Sequence, residues 1–348
     1  MNNKGYFYTV ITATLILISL SIIIFYFQTA ETKIESTQRK IALEELHYFV
    51  ENLKLDYEKA LEISGTRAGT VLIGRILNSS ENFADYEMVP CDTSKYGIKG
   101  SQSAMAELML CGTLFGEKIS EMENNTLMNW SNSVVRRGDV KINSLEIINV
   151  ALAMYDSWNI AAVSVLELSL SDKSELASFD GSINVVSLIP IENFEDPLYY
   201  LETHELDLVR KYKRCNYSNS ANGITINTWI NDKCYHNSNE SYNGSCFFDR
   251  LEGRLKLSEE YLTQSRAYFA NSEIGLESFA SVSDLWMHNI TLDFGKYTWV
   301  DYMYWQNVNG TCKVTGTINY AINSTQNITF RIDSRHVAKY NISGAECE

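Results

Sequence analysis

Residues 6–27 read Tyr-Phe-Tyr-Thr-Val-Ile-Thr-Ala-Thr-Leu-Ile-Leu-Ile-Ser-Leu-Ser-Ile-Ile-Ile-Phe-Tyr-Phe, with no charge, proline or glycine. A bilayer core of ~30 Å takes about 20 apolar residues in a helix. A helix satisfies its own backbone hydrogen bonds in lipid, which an irregular segment cannot do. Tyr6 and Tyr8 at one end and Tyr26 at the other fall where an aromatic belt lies. Secretory h-regions are shorter, about 7–15 residues, and end at a small-x-small cleavage site. Here the run is longer, and its exit, Phe25-Tyr26-Phe27-Gln28-Thr29-Ala30, makes a poor cleavage site. The stretch therefore predicts a retained anchor, residues 1–30, and a single membrane pass.

Charge alone leaves the orientation open. Lys4 lies before the apolar run, and Lys33, Arg39 and Lys40 lie after it. Two further features favour a cytoplasmic N-terminus and an extracellular body. The first is a set of N-glycosylation sequons beginning at Asn78, Asn124, Asn129, Asn216, Asn239, Asn243, Asn289, Asn309, Asn323, Asn327 and Asn341. An Asn-rich composition is the alternative explanation. The second is cysteine usage. Cys91, Cys111, Cys215, Cys234, Cys246, Cys312 and Cys347 contain no Cys-x-x-Cys, so a zinc ribbon is not indicated. Loose spacing outside a membrane suggests disulfides. Local pairing predicts Cys91–Cys111, Cys215 with Cys234 or Cys246, and Cys312–Cys347, with one cysteine left over.

The rest of the chain exceeds 300 residues, enough for one large or two ordinary domains. A net charge of −14 without an evident basic patch argues against nucleic acid as a partner. Abundant Tyr, Asn, Ser and Gly suit exposed β-structure and adaptable binding surfaces.

Residues 31–77 read as a helix continuing from the anchor. Ile34, Ile41, Leu43, Leu46, Phe49, Val50, Leu53, Leu55, Leu61, Val71, Leu72 and Ile76 fall largely at three- and four-residue steps. Gly65, Gly69 and Gly74 predict a loosening of its last part, or a close helix contact. An Asn-rich loop follows over 78–100, then a second helix over 101–122 and a short third over 126–135. Residues 31–139 thus read as a mostly helical, membrane-proximal subdomain.

The periodicity then changes. Residues 145–155, 158–170 and 182–191 are rich in Ile, Val and Leu, divided by Tyr155-Asp156-Ser157, Ser171-Asp172-Lys173 and Asp180-Gly181. These are strands and turns at hairpin spacing. Further strands are predicted over 224–230, 285–293, 298–305, 312–321 and 326–333, the last four as an antiparallel meander. The fold class is α+β: a transmembrane helix extended into a helical subdomain, then a mainly antiparallel β ectodomain over 140–348, with a sandwich-like arrangement as one form of it.

Catalytic templates are mostly absent: no Gly-x-Ser-x-Gly, His-Glu-x-x-His, Walker loop, Gly-x-Gly-x-x-Gly or EF-hand loop occurs, and no cofactor or metal motif is read. Asp333 and His336, three apart, have the spacing to orient an imidazole. Four acid-bearing islands stand out: 194–199, 248–254, 274–279 and 300–305. Pro197 marks a fixed turn or helix start after Asp196. Glu195, Asp249, Glu252 and Glu277 are candidates for paired carboxylates in glycoside chemistry or a calcium site.

At the N-terminus, Asn3-Lys4-Gly5 followed at once by the uncharged run resembles the archaeal type IV prepilin-like signal. The resemblance implies cleavage between Gly5 and Tyr6, with Lys4-Gly5 as the recognised head and the helix kept as anchor or filament core. The chain departs from the bacterial pilin pattern in having Val10, not an acid, near the fifth mature position. Glu195-Asp196-Pro197-Leu198-Tyr199, Asp249-Arg250-Leu251-Glu252-Gly253 and Ile274-Gly275-Leu276-Glu277-Ser278-Phe279 look like segments of uncharacterised archaeal membrane-anchored surface proteins. The resemblance implies location, not chemistry.

Three functions follow as expectations. The first is a single-pass surface protein of structural or interaction type, pilin-like, glycosylated and disulfide-bonded, with further copies as possible partners. The second is a glycan- or surface-binding module whose contacts are Trp286, Trp299, Tyr302, Tyr304 and Trp305, although core packing accounts for the same residues. The third is a carboxylate-dependent hydrolase.

Overall fold

The computed structural model describes residues 3–79, 81–88, 99–135, 140–203, 209–216, 220–270, 273–288, 293–317, 320–323 and 326–348. Helix α1 runs unbroken from Asn3–Ser79. Residues 7–27 are exposed on every face, and the helix is long and apolar enough to cross a membrane. Its continuation is amphipathic. Ala42, Leu46, Val50 and Leu53 are buried at steps of three and four residues. Ile34, Ile41, Leu43 and Leu55 are exposed, so the apolar stripe is narrower than the sequence suggests.

The chain divides into two compact units. One comprises Met1–Asp56, Val134–Glu146 and Glu167–Ile183; the other comprises Tyr57–Ser133, Ile147–Leu166 and Asn184–Glu348. Within the second unit, α1 buries Tyr57, Leu61, Ser64, Ala68, Leu72 and Ile76. The glycines do not break the helix. A Cβ at Gly65 would lie 2.1 Å from Ile189 Cδ1, and one at Gly69 would lie 2.7 Å from a Phe194 ring carbon. The expected loosening is therefore not seen; Gly65 and Gly69 instead let the Ile189 and Phe194 side chains reach the helix backbone, while Gly74 has no such neighbour among the described residues.

Helix α2 (Ser101–Cys111) is shorter than the span 101–122. Gly112 adopts the left-handed conformation at φ 71° and donates its N–H to Leu108 O, which closes the helix. A short hairpin of β1 (Thr113–Leu114) and β2 (Glu117–Lys118) follows. Phe115 and Gly116 both have positive φ at its tip, as a tight hairpin turn requires. A 3₁₀ turn at Ser120–Met122 leads to α3 (Leu127–Val135), close to its expected span.

Strands β3 (Lys141–Met154), β4 (Asn159–Ser171) and β5 (Ser178–Pro190) form one sheet with β4 in the centre. The turns are those marked in the sequence. Asp156 accepts from Trp158 N at 2.7 Å, and Asp172 accepts from Ser174 N and Ala177 N at 2.9 and 2.7 Å. Asp180-Gly181 lies inside β5 and is not a turn. In the second unit, Tyr57 on α1 and Ser164 on β4 share a hydrogen bond of 2.7 Å.

Next come β6 (Glu195–Asp196), α4 (Leu198–Glu202) and β7 (Arg210–Lys211). Asp196 Oδ1 accepts from Leu198 N at 3.0 Å across Pro197, so this island is indeed a helix start. The expected strand 224–230 is instead helix α5 (Gly223–Asp232). Asn222 caps it by accepting from Thr225 N. Ile226, Trp229 and Ile230 are buried at three- and four-residue steps while Ile224 is exposed, so the alternation of Ile224 and Ile226 is misleading.

β8 (Tyr235–Ser238) is followed by α6 (Phe247–Leu251), α7 (Glu259–Tyr268) and β9 (Gly275–Ser278). Two more expected strands are helical: α8 (Val282–Met287) takes residues 285–287 of the expected 285–293, and α9 (Asp301–Trp305) replaces most of 298–305. Val300 keeps one bridge, to Phe279, before Asp301 opens the helix.

The C-terminal part comprises β10 (Cys312–Val314), β11 (Tyr320–Asn323), β12 (Gln326–Ile328), β13 (Arg331–Ile332), α10 (Ser334–Lys339) and β14 (Ala345–Cys347). It is not a meander. The order β13-β10-β14 places the C-terminal strand beside β10, and among the described residues β11 pairs with β12 alone. Trp229, Phe279, Trp299, Tyr304 and Phe330 belong to the aromatic core here.

Disulfides join Cys215 to Cys234 and Cys312 to Cys347. Cys234, not Cys246, is thus the partner of Cys215, and Cys246 is a buried thiol. The pair Cys91–Cys111 involves Cys91, which lies outside the described residues. The architecture is α+β with antiparallel sheets, entered through one long apolar helix.

Candidate functional site

The ribbon of β8 and β9 organises the polar interior of the second unit. Its register sets His236 opposite Glu277 and Tyr235 opposite Ser278. Side chains alternate across a strand, so His236 and Glu277 share one face, and Tyr235 and Ser278 share the other. A buried ionic network occupies each face.

On the first face, Glu277 Oε1 accepts from Lys339 Nζ and from the Tyr340 hydroxyl. Its Oε2 lies 3.3 Å from His336 Nε2. His336 Nδ1 lies 2.7 Å from Asp333 Oδ2. Asp333 Oδ1 accepts from Arg335 N and His336 N at 3.0 and 3.1 Å, so the same residue caps α10 and orients the imidazole. Burial alone would lower the His336 pKa. The charges and hydrogen bonds of Glu277 and Asp333 outweigh it and raise it to about 9. Burial likewise works against ionised Glu277, but Lys339 and His336 hold it well below the usual carboxylate range. The imidazolium donates from both nitrogens, and two acids face two cations. His236, in contrast, is pushed down to about 4 by burial, against the pull of Glu277, and is neutral at pH 7.

On the second face, Arg250 is completely buried. It donates from Nη1 to Asp196 Oδ2 at 2.6 Å, and from Nη2 to Asp301 Oδ2 and Leu276 O at 2.9 Å. Tyr235 and Tyr212 donate their hydroxyl hydrogens to Asp196 at 2.7 and 3.1 Å. Arg210 donates from Nη1 to the Tyr199 hydroxyl, Ser278 Oγ and Phe279 O. Ser278 Oγ donates in turn to Asp301 at 3.0 Å. Two aspartates and two arginines again balance, which is the condition under which charges persist in an interior.

The carboxylate candidates from the sequence are held in such settings. Glu277 belongs to the first network. Asp249 Oδ2 accepts from Cys246 N and Ser258 N at 3.0 and 3.3 Å, and burial raises its pKa. Glu252 accepts from Ser101 N, Ser101 Oγ and Tyr261, across the N-terminus of α2. Glu195 is half-buried on β6, while its neighbour Asp196 makes the ion pair. Asp196, Arg210, Arg250, Asp301 and Lys339 were missed as partners, because their spacing of tens of residues carries no distance. The Asp333–His336 contact was legible from its three-residue step.

The aromatic row does not face solvent. Trp299 and Tyr304 are fully buried, and Tyr302 nearly so. Trp299 Nε1 donates to Phe294 O at 3.0 Å, and Tyr304 stacks on Phe294 at 5.5 Å. Trp305 is half-buried against Tyr199, and Trp286 is exposed. Turning 301–305 into a helix removes the strand alternation that would have presented these rings together. Lys4, Gly5 and Tyr6 are helical residues of α1. Among the sequons, Asn78, Asn124, Asn129, Asn216, Asn243, Asn309 and Asn341 are exposed, and Asn239 is half-buried. Asn323 and Asn327 lie on β11 and β12, and Asn289 lies outside the described residues.

A cavity of about 370 Å³ opens beside β8, bordered by Trp158, Arg214, His236, Asn237, Glu273 and Tyr340. The Cys215–Cys234 disulfide forms part of its surroundings. Both sulfurs and a His236 ring nitrogen lie within 4.8 Å of one another, but the S–S bond removes the thiolates that a metal would need.

No family model matches the chain, and neither a curated protein nor a solved structure shows significant similarity to it.

Proposed function

We propose that this chain is a single-pass, membrane-anchored surface protein of structural or interaction type, with a cytoplasmic N-terminus and an extracellular body. The observation that carries the reading is the change of character along α1. One continuous helix has an apolar stretch at 7–27 exposed on all sides, then a one-sided apolar stripe. The first part suits lipid, where every direction is apolar; the second suits packing against protein. A helix of this kind, resting in the second unit against β4 through Tyr57 and Ser164, is what a pilin-like subunit needs. Two disulfides and seven exposed sequon asparagines favour an oxidising, glycosylating exterior. The buried networks serve as internal structure in this reading, since each acid already faces a cation or several hydrogen-bond donors.

The test is the intact mass and N-terminal sequence of protein from native membranes. A chain starting at Tyr6 with added glycan mass supports the processed, pilin-like form. A chain starting at Met1 sinks the pilin-like processing. Loss of residues 1–30 sinks the anchor as a whole.

A further inference from the structure

The cavity beside β8 combines four complementary groups. Arg214 carries its guanidinium carbon 4.7 Å from the centre of the Trp158 ring, and half of its side chain is exposed. Its nearest acid, Glu192, is 3.9 Å away, and no described residue accepts a hydrogen bond from it. A guanidinium stacked on an aromatic ring is held in place, and its fork matches a carboxylate through two parallel hydrogen bonds. Asn237 Oδ1 already accepts from Trp158 Nε1 at 2.6 Å, so the amide offers its Nδ2 as a donor. Glu273 is exposed, and among the described residues its carboxylate holds only a long 3.5 Å contact with Asn239, which leaves carboxylate oxygen for hydroxyl donors. Tyr340 has its hydroxyl committed to Glu277, so its contribution to the cavity is ring carbon.

The other charges at the cavity are accounted for. Lys339 donates to Glu277 and to Asn237 O, and His236 is neutral. Among the described lining residues, Arg214, whose ion pair with Glu192 is a loose 3.9 Å, is therefore the cation best placed to meet a ligand. It is also built in. Cys215, its neighbour, is bonded to Cys234, the neighbour of Tyr235. Cys215 N donates to Tyr235 O at 3.0 Å, and Tyr235 N donates to Lys213 O at 2.8 Å. The disulfide and these two bonds tie the Arg214 segment to the strand that carries Asn237.

We propose that this cavity binds a sugar acid: a hydroxylated ring whose carboxylate pairs with Arg214, whose hydroxyls reach Asn237 and Glu273, and whose apolar edge lies on Tyr340. A volume of about 370 Å³ suits one such ring. The aromatic residues expected from the sequence to bind glycan are not involved. The proposal does not rest on the anchor reading, because the cavity belongs to the folded body wherever the protein resides.

The experiment is calorimetric titration of the full chain in detergent micelles with glucuronate, glucose and acetate. Glucuronate should bind about tenfold more tightly than either glucose or acetate, since each control lacks one half of the recognition. Arg214→Gln should weaken glucuronate about tenfold without moving the thermal midpoint, because Arg214 is half-exposed and makes no hydrogen bond among the described residues. Reduction of the disulfides should weaken binding as well. Equal affinity for acetate would overturn the sugar component, and equal affinity for glucose would overturn the carboxylate component. Absence of binding at millimolar glucuronate, or unchanged binding in the folded Arg214→Gln variant, would overturn the site.

Discussion

Glu277 Oε2 and His336 Nε2 lie 3.3 Å apart, with each side chain about 1–2 % exposed, and Asp333 holds the far side of the imidazole at 2.7 Å. A cation is thus enclosed between two acids, with Lys339 balancing the second. This arrangement ties β9 to α10 and makes part of the fold dependent on protonation.

The pH dependence follows. The folded-state pKa of His336 is about 9, against an ordinary 6.5. Its stabilisation is fully present below about pH 6.5 and is lost as pH rises through about 9. Glu277 moves the other way: its depressed pKa gives stability above about pH 4.5 that is lost on acidification. The thermal midpoint measured from about pH 6 to 10 should fall across the alkaline part of that range. His336→Gln should have a lower midpoint at neutral pH and a flatter alkaline limb. An equally steep limb in the variant would remove His336 as the cause.

Arg250 sits between Asp196 and Asp301 with no exposed surface. Replacing it with Met leaves two buried aspartates without their cation, a change that costs about 3–5 kcal/mol in comparable sites. Chemical denaturation of Arg250→Met should show a loss of that order or failure to fold. Arg266→Ala, at the surface pair with Glu240, should change little. Asp196→Asn combined with Asp301→Asn should recover part of the Arg250→Met loss.

Such partners could not be found along the chain. Arg250 and Asp196 are 54 residues apart, and Glu277 and His336 are 59. What could be read was local. The uncharged run at 7–27 and the three- and four-residue steps after it foretold α1. Blocks of Ile, Val and Leu between aspartate turns foretold β3, β4 and β5. Segment 224–230 was misread because Ile224 and Ile226 alternate, although only Ile226 is buried and the Asn222 cap decides for helix. The aromatic segment 298–305 was misread for a similar reason, since alternation over so few residues suits either a strand or one helical turn.

Gly69 provides a test of helix packing in the second unit. An added Cβ meets the Phe194 ring at 2.7 Å, and a ring edge gives way less readily than the flexible end of Ile189 beside Gly65. Gly69→Ala should destabilise by about 1–3 kcal/mol despite the better helix propensity of alanine. Gly69→Ala with Phe194→Leu should recover part of the loss. A stabilised Gly69→Ala single variant would contradict the contact.

The disulfide assignment predicts that peptide mapping without reduction finds Cys215 joined to Cys234 and Cys312 joined to Cys347, with Cys246 alkylated only after unfolding. Closing loops of these lengths is worth about 3–4 kcal/mol each in the chain-entropy model. The paired variant Cys312→Ala with Cys347→Ala should therefore lower the denaturation midpoint. A Cys215–Cys246 peptide would contradict the assignment.

In the proposed topology, residues 7–27 anchor the chain and the folded body lies outside. Protease treatment of intact cells, followed by mass spectrometry of the membrane fraction, is the decisive measurement. Peptides from the body should disappear while a fragment containing residues 7–27 stays with the membrane. Release of the whole chain by an alkaline wash, or protection of the body until the cells are lysed, would contradict it.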